Sequence, residues 1–466
     1  MELTPAWVAA QTGGRVGLGV GVGVGTVRGD GVAFDSRSVE RGQVFVALRD
    51  ARDGHEFVAD ALGRSAAFAI VEHPVHAEDG RELPCVEVAD THVALTALGL
   101  AARRRLRAQV VGITGSVGKT STKDLTAAAL ASCWRTHAAP ASFNNEIGVP
   151  FTLLGAPEAA EAVVIEMGAR FAGNVAALCR VAEPTIGVIT NIGLAHAEHL
   201  GGPDGVARVK GELLEALPTD GLAVVSSACT ATAGQLARSH AAVVTVGTEP
   251  GAIVRVSGVN VGADLRANFH LDTPWGSGSV RLAIRGAHQV VNAAQAATVA
   301  MHLGAEPEAV FGALASATST GSRMQLQESA AGIVVLNDAY NASPAAMMAA
   351  IKSLVQLRVT GRRVAVLGEM RELGDWSESE HARVGAALGR AGIDALIAVG
   401  SATNALVDAA HELAPTMVIQ SVTDAETART AARELVRPGD AVLVKASRAV
   451  GLEIVAEGLL HAEPVA

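Results

Sequence analysis

Few folds can hold the stretch Gly112–Asp124, GITGSVGKTSTKD. It follows a short apolar run, Val110–Ile113, and opens onto residues that can continue as a helix, so strand, glycine-rich turn and helix are predicted in that order. Gly115 and Gly118 let the backbone curl so that consecutive N–H groups face one centre. A helix starting near Lys119 adds the positive end of its dipole. The result is a phosphate cradle built from Thr114, Gly115, Ser116, Val117, Gly118, Lys119, Thr120 and Ser121. In it Lys119 reaches β- and γ-phosphates and the Thr120 hydroxyl sits on Mg²⁺. Ile113 stands where the general P-loop pattern has glycine, but the core T-G-S-x-G-K-T is intact.

A strand feeding such a turn belongs to a mostly parallel sheet, and residues 109–320 alternate strand and helix signals accordingly. Strands are predicted at Val110–Ile113, Ala162–Met167, Thr185–Asn191, Ala223–Ser226 and Val243–Gly247. Ligands of these sheets gather at the carboxyl ends of the strands, which here carry the P-loop, Glu166, and Asn191 with His196. Between Gly251 and Arg285 the pattern becomes antiparallel, with turns such as DTPWGSGS, and a helix over 288–302 closes the unit. Glu166 ends an apolar strand and is the best metal candidate. By spacing alone His196 reads equally as a ligand or a polar loop residue, and Lys210 reads as a solvated helix charge.

Two further units flank this one. Residues 1–108 carry a Gly/Val run, Gly17–Gly31, that reads as a surface strand or hairpin, and then a strand over Val44–Leu48. Loops with Asp35, Ser36, Arg37, Arg41 and Arg49 flank that strand, a pattern that suits a nucleotide or sugar and equally a solvated loop. Residues 321–466 alternate again, with strands at Ile333–Leu336, Arg363–Leu367, Ala395–Val399, Met417–Ile419 and Ala441–Val444. Ser343 before Pro344 reads as a helix N-cap, and Ser377 with Glu380 as a capping box. This unit has no glycine-rich phosphate turn, so it is expected to complete a site housed by its neighbour. At 466 residues, 49% hydrophobic and 18% charged, three globular cores are within range.

The net charge of −10 excludes a general nucleic-acid binder, so an anionic substrate must be met by local cations. Cys85, Cys133, Cys179 and Cys229 show no metal or redox spacing and read as buried thiols in a reducing compartment. The first residues lack the basic start and apolar core of a signal peptide, and no stretch is apolar and long enough to span a bilayer. A cytoplasmic protein without membrane insertion is expected.

The chain resembles the Mur ligases nearly end to end. The resemblance rests on DSRSVERGQVFVAL, GITGSVGKTSTKD, SFNNEIGVPFTLL, EMGA at Glu166, TNIGLAHAEHLG, the Lys210 segment ARVKGELLEAL, HQVVNAAQAA, the run from Arg323 to NDAYNASPAAM, LGEMRELGDWSESEH and VLVKASR. Within the family it is most similar to the branch that adds D-alanyl-D-alanine to UDP-N-acetylmuramoyl-tripeptide. The Asp-Asn-Pro-Arg segment typical of the sister ligase that adds the third peptide residue does not occur.

The resemblance implies a three-domain α/β enzyme: a small N-terminal domain, a central P-loop parallel-sheet domain and a Rossmann-like C-terminal domain. It implies that ATP and Mg²⁺ are used. Glu166 and His196 match positions that hold magnesium, and Lys210 matches a lysine that carries a carbamate. Arg323 and Asp338 match positions that meet the ATP phosphates and ribose, and Asn292 and Asn341 lie in segments expected around adenine. Asp35, Ser36 and Arg37 match a loop that meets the uridine nucleotide. Asn144, Asn145, Lys445, Ser447 and Arg448 complete the expected substrate contacts. Ala446 departs from the more usual glycine, and the Gly/Val run is unusual for the family. The implied reaction forms an amide through an acyl phosphate in a monomeric enzyme, without a side-chain nucleophile. The rival readings are a sister amide ligase, including a folylpolyglutamate synthase, and a P-loop switch or motor that would hydrolyse ATP without an amine acceptor.

Overall fold

The computed structural model describes residues 1–17, 19 and 27–461. Three α/β sheets follow one another along the chain, each with helices packed on it. Most of the Gly/Val run lies outside the described residues. Its last part, Gly29–Asp30, pairs antiparallel with Glu2–Leu3.

The first sheet takes the order Arg15–Val16, Cys85–Glu87, Phe68–Val71, Val44–Val46, Val32–Ala33 and is parallel except for its first strand. The helix Thr91–Arg105 joins it to the rest. Asp90 caps it by accepting from Val93 N at 2.8 Å, and Arg103, Arg104 and Arg105 oppose the negative end of its dipole in the last turn. Its buried Leu95 and Leu98 belong to one continuous apolar core with Val44 and Phe68 on one side and Leu153 and Val163 on the other. Gly99 permits close contact with the next helix, Gly148–Gly155, because a Cβ there would stand 2.7 Å from Pro150.

The second sheet has nine strands. Its parallel part contains the expected strands, observed at Gln109–Thr114, Ala162–Glu166, Ile186–Ile189, Leu222–Ser226 and Ala242–Gly247, with Thr136–Ala138 added at the edge. The P-loop strand lies between Ala162–Glu166 and Ile186–Ile189, paired Ile113 to Glu166 and Thr114 to Ile189. The carboxyl ends of three neighbouring strands are therefore level. The antiparallel patch is Val254–Val261, Arg266–Thr273 and Gly276–Arg285, and it extends this same sheet instead of standing apart.

In the third sheet, of six strands, Ala441–Lys445 lies between Val334–Asn337 and Arg363–Gly368. The short antiparallel strand Gln325–Glu328 leads into it. Two expected details change. Ser343 does stand at the N-cap, but its hydroxyl makes no capping bond and is buried without a partner among the described residues. Ser377 is the first residue of its helix and not the cap, because the 3-10 turn Gly374–Trp376 runs straight into Ser377–Arg390. Glu380 instead pairs with Arg383. The cysteines are not all buried. Cys85 and Cys179 are buried, but Cys133 is exposed where the P-loop helix ends, and Cys229 is half-buried.

Helices Ser377–Arg390 and Asn404–Leu413 touch at Gly385, where a Cβ would stand 2.0 Å from the Leu406 carbonyl oxygen. Gly385→Ala forces these helices apart, and a cost of about 1–3 kcal/mol is expected for such overpacking. Thermal unfolding should show a lower melting temperature for this variant, with unchanged KM values, because the contact is remote from the cleft described next.

Candidate active site

The carboxyl ends of the second and third sheets face one cleft of about 1000 Å³. Its floor is the P-loop. Gly118 has φ +86° and packs against Asn292, whose side chain would lie 3.0 Å from a Cβ at 118. Gly115 has φ +148°, and a Cβ there would overlap Thr190 Oγ1 at 2.0 Å. Both positions therefore require glycine. The loop is held from outside: Val117 N donates to Asn191 Oδ1 at 2.9 Å, Thr190 Oγ1 donates to Val117 O at 2.5 Å, and Ser116 Oγ donates to Gly193 O at 2.9 Å. Lys119 opens the helix Lys119–Ala131 and donates to Gly115 O at 2.8 Å. Burial pulls its pKa down, Glu166 pulls it back up, and the nearby Arg323 lowers it again.

Thr120 Oγ1 is the junction of the cleft. It donates to Glu166 Oε2 at 2.7 Å, meets Ser142 Oγ at 3.1 Å, and accepts from the Arg323 guanidinium at 3.0 Å. Asn144 Nδ2 holds the other oxygen of Glu166 at 2.7 Å. Asn145 Oδ1 accepts from Gly148 N, the first residue of the following helix, at 2.9 Å. Arg323 lies over the ring of Tyr340, 3.9 Å from its centroid, so its planar head is aimed by stacking as well as by hydrogen bonds.

From the third unit Asp338 follows its strand end and accepts from Met324 N at 3.1 Å. The buried Lys445 donates to Asp338 Oδ2 at 2.6 Å and to Asn341 O at 2.7 Å, so its charge is used within the wall. Ser447 Oγ accepts from Arg371 N at 2.9 Å, and Arg448 pairs with Glu453 at 2.8 Å. Asp35, Ser36 and Arg37 are not at the cleft. Arg37 donates to Asp35 at 2.7 Å and holds that carboxyl down at about 2.

His196 has φ +62°, and its Nδ1 is hydrogen-bonded to Glu372 of the third unit, a residue the sequence reading did not single out. Burial lowers the His196 pKa, Lys119 lowers it further, and Glu372 opposes both. Lys210 lies on the helix Gly202–Ala216 and is fully buried, contrary to the solvated position expected from spacing. Among the described residues its Nζ has no hydrogen-bond partner. Burial and the neighbouring Lys119 pull its pKa down to about 7.

Mg²⁺ takes oxygen ligands in octahedral geometry. The carboxylate of Glu166 and the hydroxyl of Thr120, already together, fit that requirement. Among the described residues no group of three His, Cys, Asp or Glu side chains could hold a metal ion. Beside His196 stands the Glu372 carboxylate, and the nearby amine of Lys210 is buried without a partner among the described residues. Ser142, Arg170, Tyr340, Arg371 and Glu372 all line the cleft without having been identified from sequence. The motif LGEMRELG was the available signal for the last two.

Comparison with known proteins gives concordant matches. The Mur ligase middle domain matches residues 113–300, and the Mur ligase, glutamate ligase domain matches residues 322–448. A Mycobacterium tuberculosis (strain ATCC 25618 / H37Rv) protein named UDP-N-acetylmuramoyl-tripeptide–D-alanyl-D-alanine ligase is 37% identical over 507 aligned positions, covering 99% of this chain and 98% of the relative. The crystal structure of MurF from Acinetobacter baumannii superposes with a TM-score of 0.86 at 29% identity, covering 99% of both chains. MurF ligase from Thermotoga maritima, solved in complex with ADP, superposes with a TM-score of 0.76 at 28% identity, covering 92% of this chain and 96% of that one.

Proposed function

This chain belongs to the Mur ligase family, and on that footing we propose that it joins D-alanyl-D-alanine to UDP-N-acetylmuramoyl-tripeptide while cleaving ATP to ADP and phosphate. It acts as a cytoplasmic monomer, without nucleic acid or membrane insertion. Residues 1–108 bind the uridine nucleotide, 109–320 bind ATP, and 321–466 close over it. The observation that carries this reading is the meeting at Thr120 Oγ1 of Glu166 and, from the third unit, Arg323. One unit supplies the phosphate cradle, and the other supplies a cation to the same point.

The terminal carboxylate of the tripeptide attacks the γ-phosphorus of ATP, the β,γ-bridging bond breaks, and ADP leaves. The amine of D-alanyl-D-alanine then attacks the acyl phosphate, and the tetrahedral intermediate expels phosphate as the amide forms. No protein nucleophile takes part. The obstacle is the approach of two anions, and Lys119, Arg323 and the P-loop N–H groups lower it by placing positive charge where negative charge meets. Thr120 and Glu166 would hold one Mg²⁺, and His196 with a carbamylated Lys210 would hold a second; such ions would supply charge neutralisation around the phosphates. Asp338, tethered by Lys445, meets the ribose, and Asn292 and Asn341 lie near adenine. Closure between the two units keeps water from the acyl phosphate.

The test is one set of incubations read by mass and by ADP release. With ATP, D-alanyl-D-alanine and UDP-tripeptides carrying either lysine or diaminopimelate third residues, the expected product is the UDP-pentapeptide of at least one of them. Without either co-substrate, ADP release should fall to the background. Steady ATP hydrolysis in the absence of an amine acceptor would overturn the reading in favour of a P-loop switch or motor.

A further inference from the structure

Glu372 touches His196 from the opposite unit, and nothing in the reaction as described uses it. The loop that carries it, 369–376, crosses to the central unit and is anchored there by more than one contact. Glu198 N donates to Glu372 O at 3.2 Å. The Trp376 ring lies over Gly202, where a Cβ would come within 2.7 Å of it. The two oxygens of the carboxylate divide their work, one meeting His196 Nδ1 and the other the Arg170 guanidinium. Glu372 and His196 both hold left-handed backbone, φ +61° and +62°. Non-glycine residues keep that conformation where their surroundings over-determine it.

We propose that Glu372 is the positioning residue for His196, and that it acts only when the third unit is docked on the second. A carboxylate can only accept, so the bond to Nδ1 puts the imidazole proton on that nitrogen and leaves the lone pair on Nε2. Nε2 has no hydrogen-bond partner among the described residues, and His196 lines the cleft. This is the arrangement in which a metal-binding histidine is oriented by a carboxylate behind it. Here the carboxylate comes from 176 residues further along the chain, in the other unit. Metal binding at His196 and domain closure are then reciprocally linked: whichever comes first favours the other. The inference rests on the reading of His196 as a metal ligand.

Two measurements on the full chain test it, both with a non-hydrolysable ATP analogue and UDP-tripeptide bound. In protein labelled with ¹⁵N-histidine, the His196 ring nitrogens should report the Nδ1–H tautomer in the metal-free complex. An Nε2–H tautomer overturns the proposal without any variant being made. In the second, Mn²⁺ binding is followed by electron paramagnetic resonance in the wild type, Glu372→Gln and His196→Ala. Glu372→Gln should weaken the affected Mn²⁺ about tenfold and lower kcat, with the KM for ATP unchanged. Unchanged Mn²⁺ affinity in Glu372→Gln, alongside weakening in His196→Ala, makes Glu372 a structural contact only and overturns the proposal. No weakening in His196→Ala overturns the ligand reading beneath it.

Discussion

Lys119→Ala should lower kcat/KM for ATP in ligation about a thousandfold, the scale of losing a preorganised charge at a transition state, or about 4 kcal/mol. The fold should survive. The ammonium donates only to P-loop carbonyl oxygens, at 2.8 Å to Gly115 and 3.5 Å to Ser116, so its removal strips no apolar contact from a core. The loop's shape is set instead by Gly115, Gly118 and the bonds from Thr190, Asn191 and Gly193. Turnover and a thermal melt measured on the same preparation separate the two effects. Near-normal turnover at saturating ATP would remove Lys119 from the phosphate site. Because Arg323 reaches the same point from the third unit, the residual rate of the variant should depend on that unit remaining docked.

The parts of this protein legible in its sequence are those fixed by local pattern. Apolar runs such as Val110–Ile113 and Ala441–Val444 become strands because each is flanked by turn or helix signals and is buried on both faces. The rule that ligands gather at strand ends then places Glu166 beside the P-loop, and the observed pairing of Ile113 with Glu166 explains why it works. What spacing missed depends on distant packing. Glu372 reaches His196 across the unit boundary, and no periodicity carries that information. Ser377 lost its expected cap because the turn before it, Gly374–Trp376, is itself helical. Lys210 is a different kind of miss, because the signal was present. Val206, Val209, Leu213 and Leu214 surround it at helical spacing and are all buried, so position 210 lies on the apolar face of its own helix. A lysine on that face is an anomaly and not a solvated charge.

That anomaly leads to the second large effect. An ammonium fully buried with no acceptor is strongly disfavoured, and the structure relieves this by drawing the Lys210 pKa down to about 7, through burial first and Lys119 second. Above that pH the side chain is a neutral amine, the form that adds to carbon dioxide; below it the ammonium cannot react, so carbamate formation and activity should both decline toward acid pH. The carbamate is an anion with two oxygens, which turns a group that would repel Mg²⁺ into one that can hold it. Lys210→Ala should therefore lower kcat by about a hundredfold, the upper end of the loss seen when a metal-orienting group is removed, whereas removing an exposed lysine has little effect. Acetate or formate should restore part of the rate by supplying a carboxylate in the space left behind. Lys210→Arg should not, since guanidinium stays charged and cannot be carbamylated. Activity that does not change in Lys210→Ala, together with an unmodified amine in crystals grown with bicarbonate and magnesium, would show that the buried lysine has no part in the chemistry.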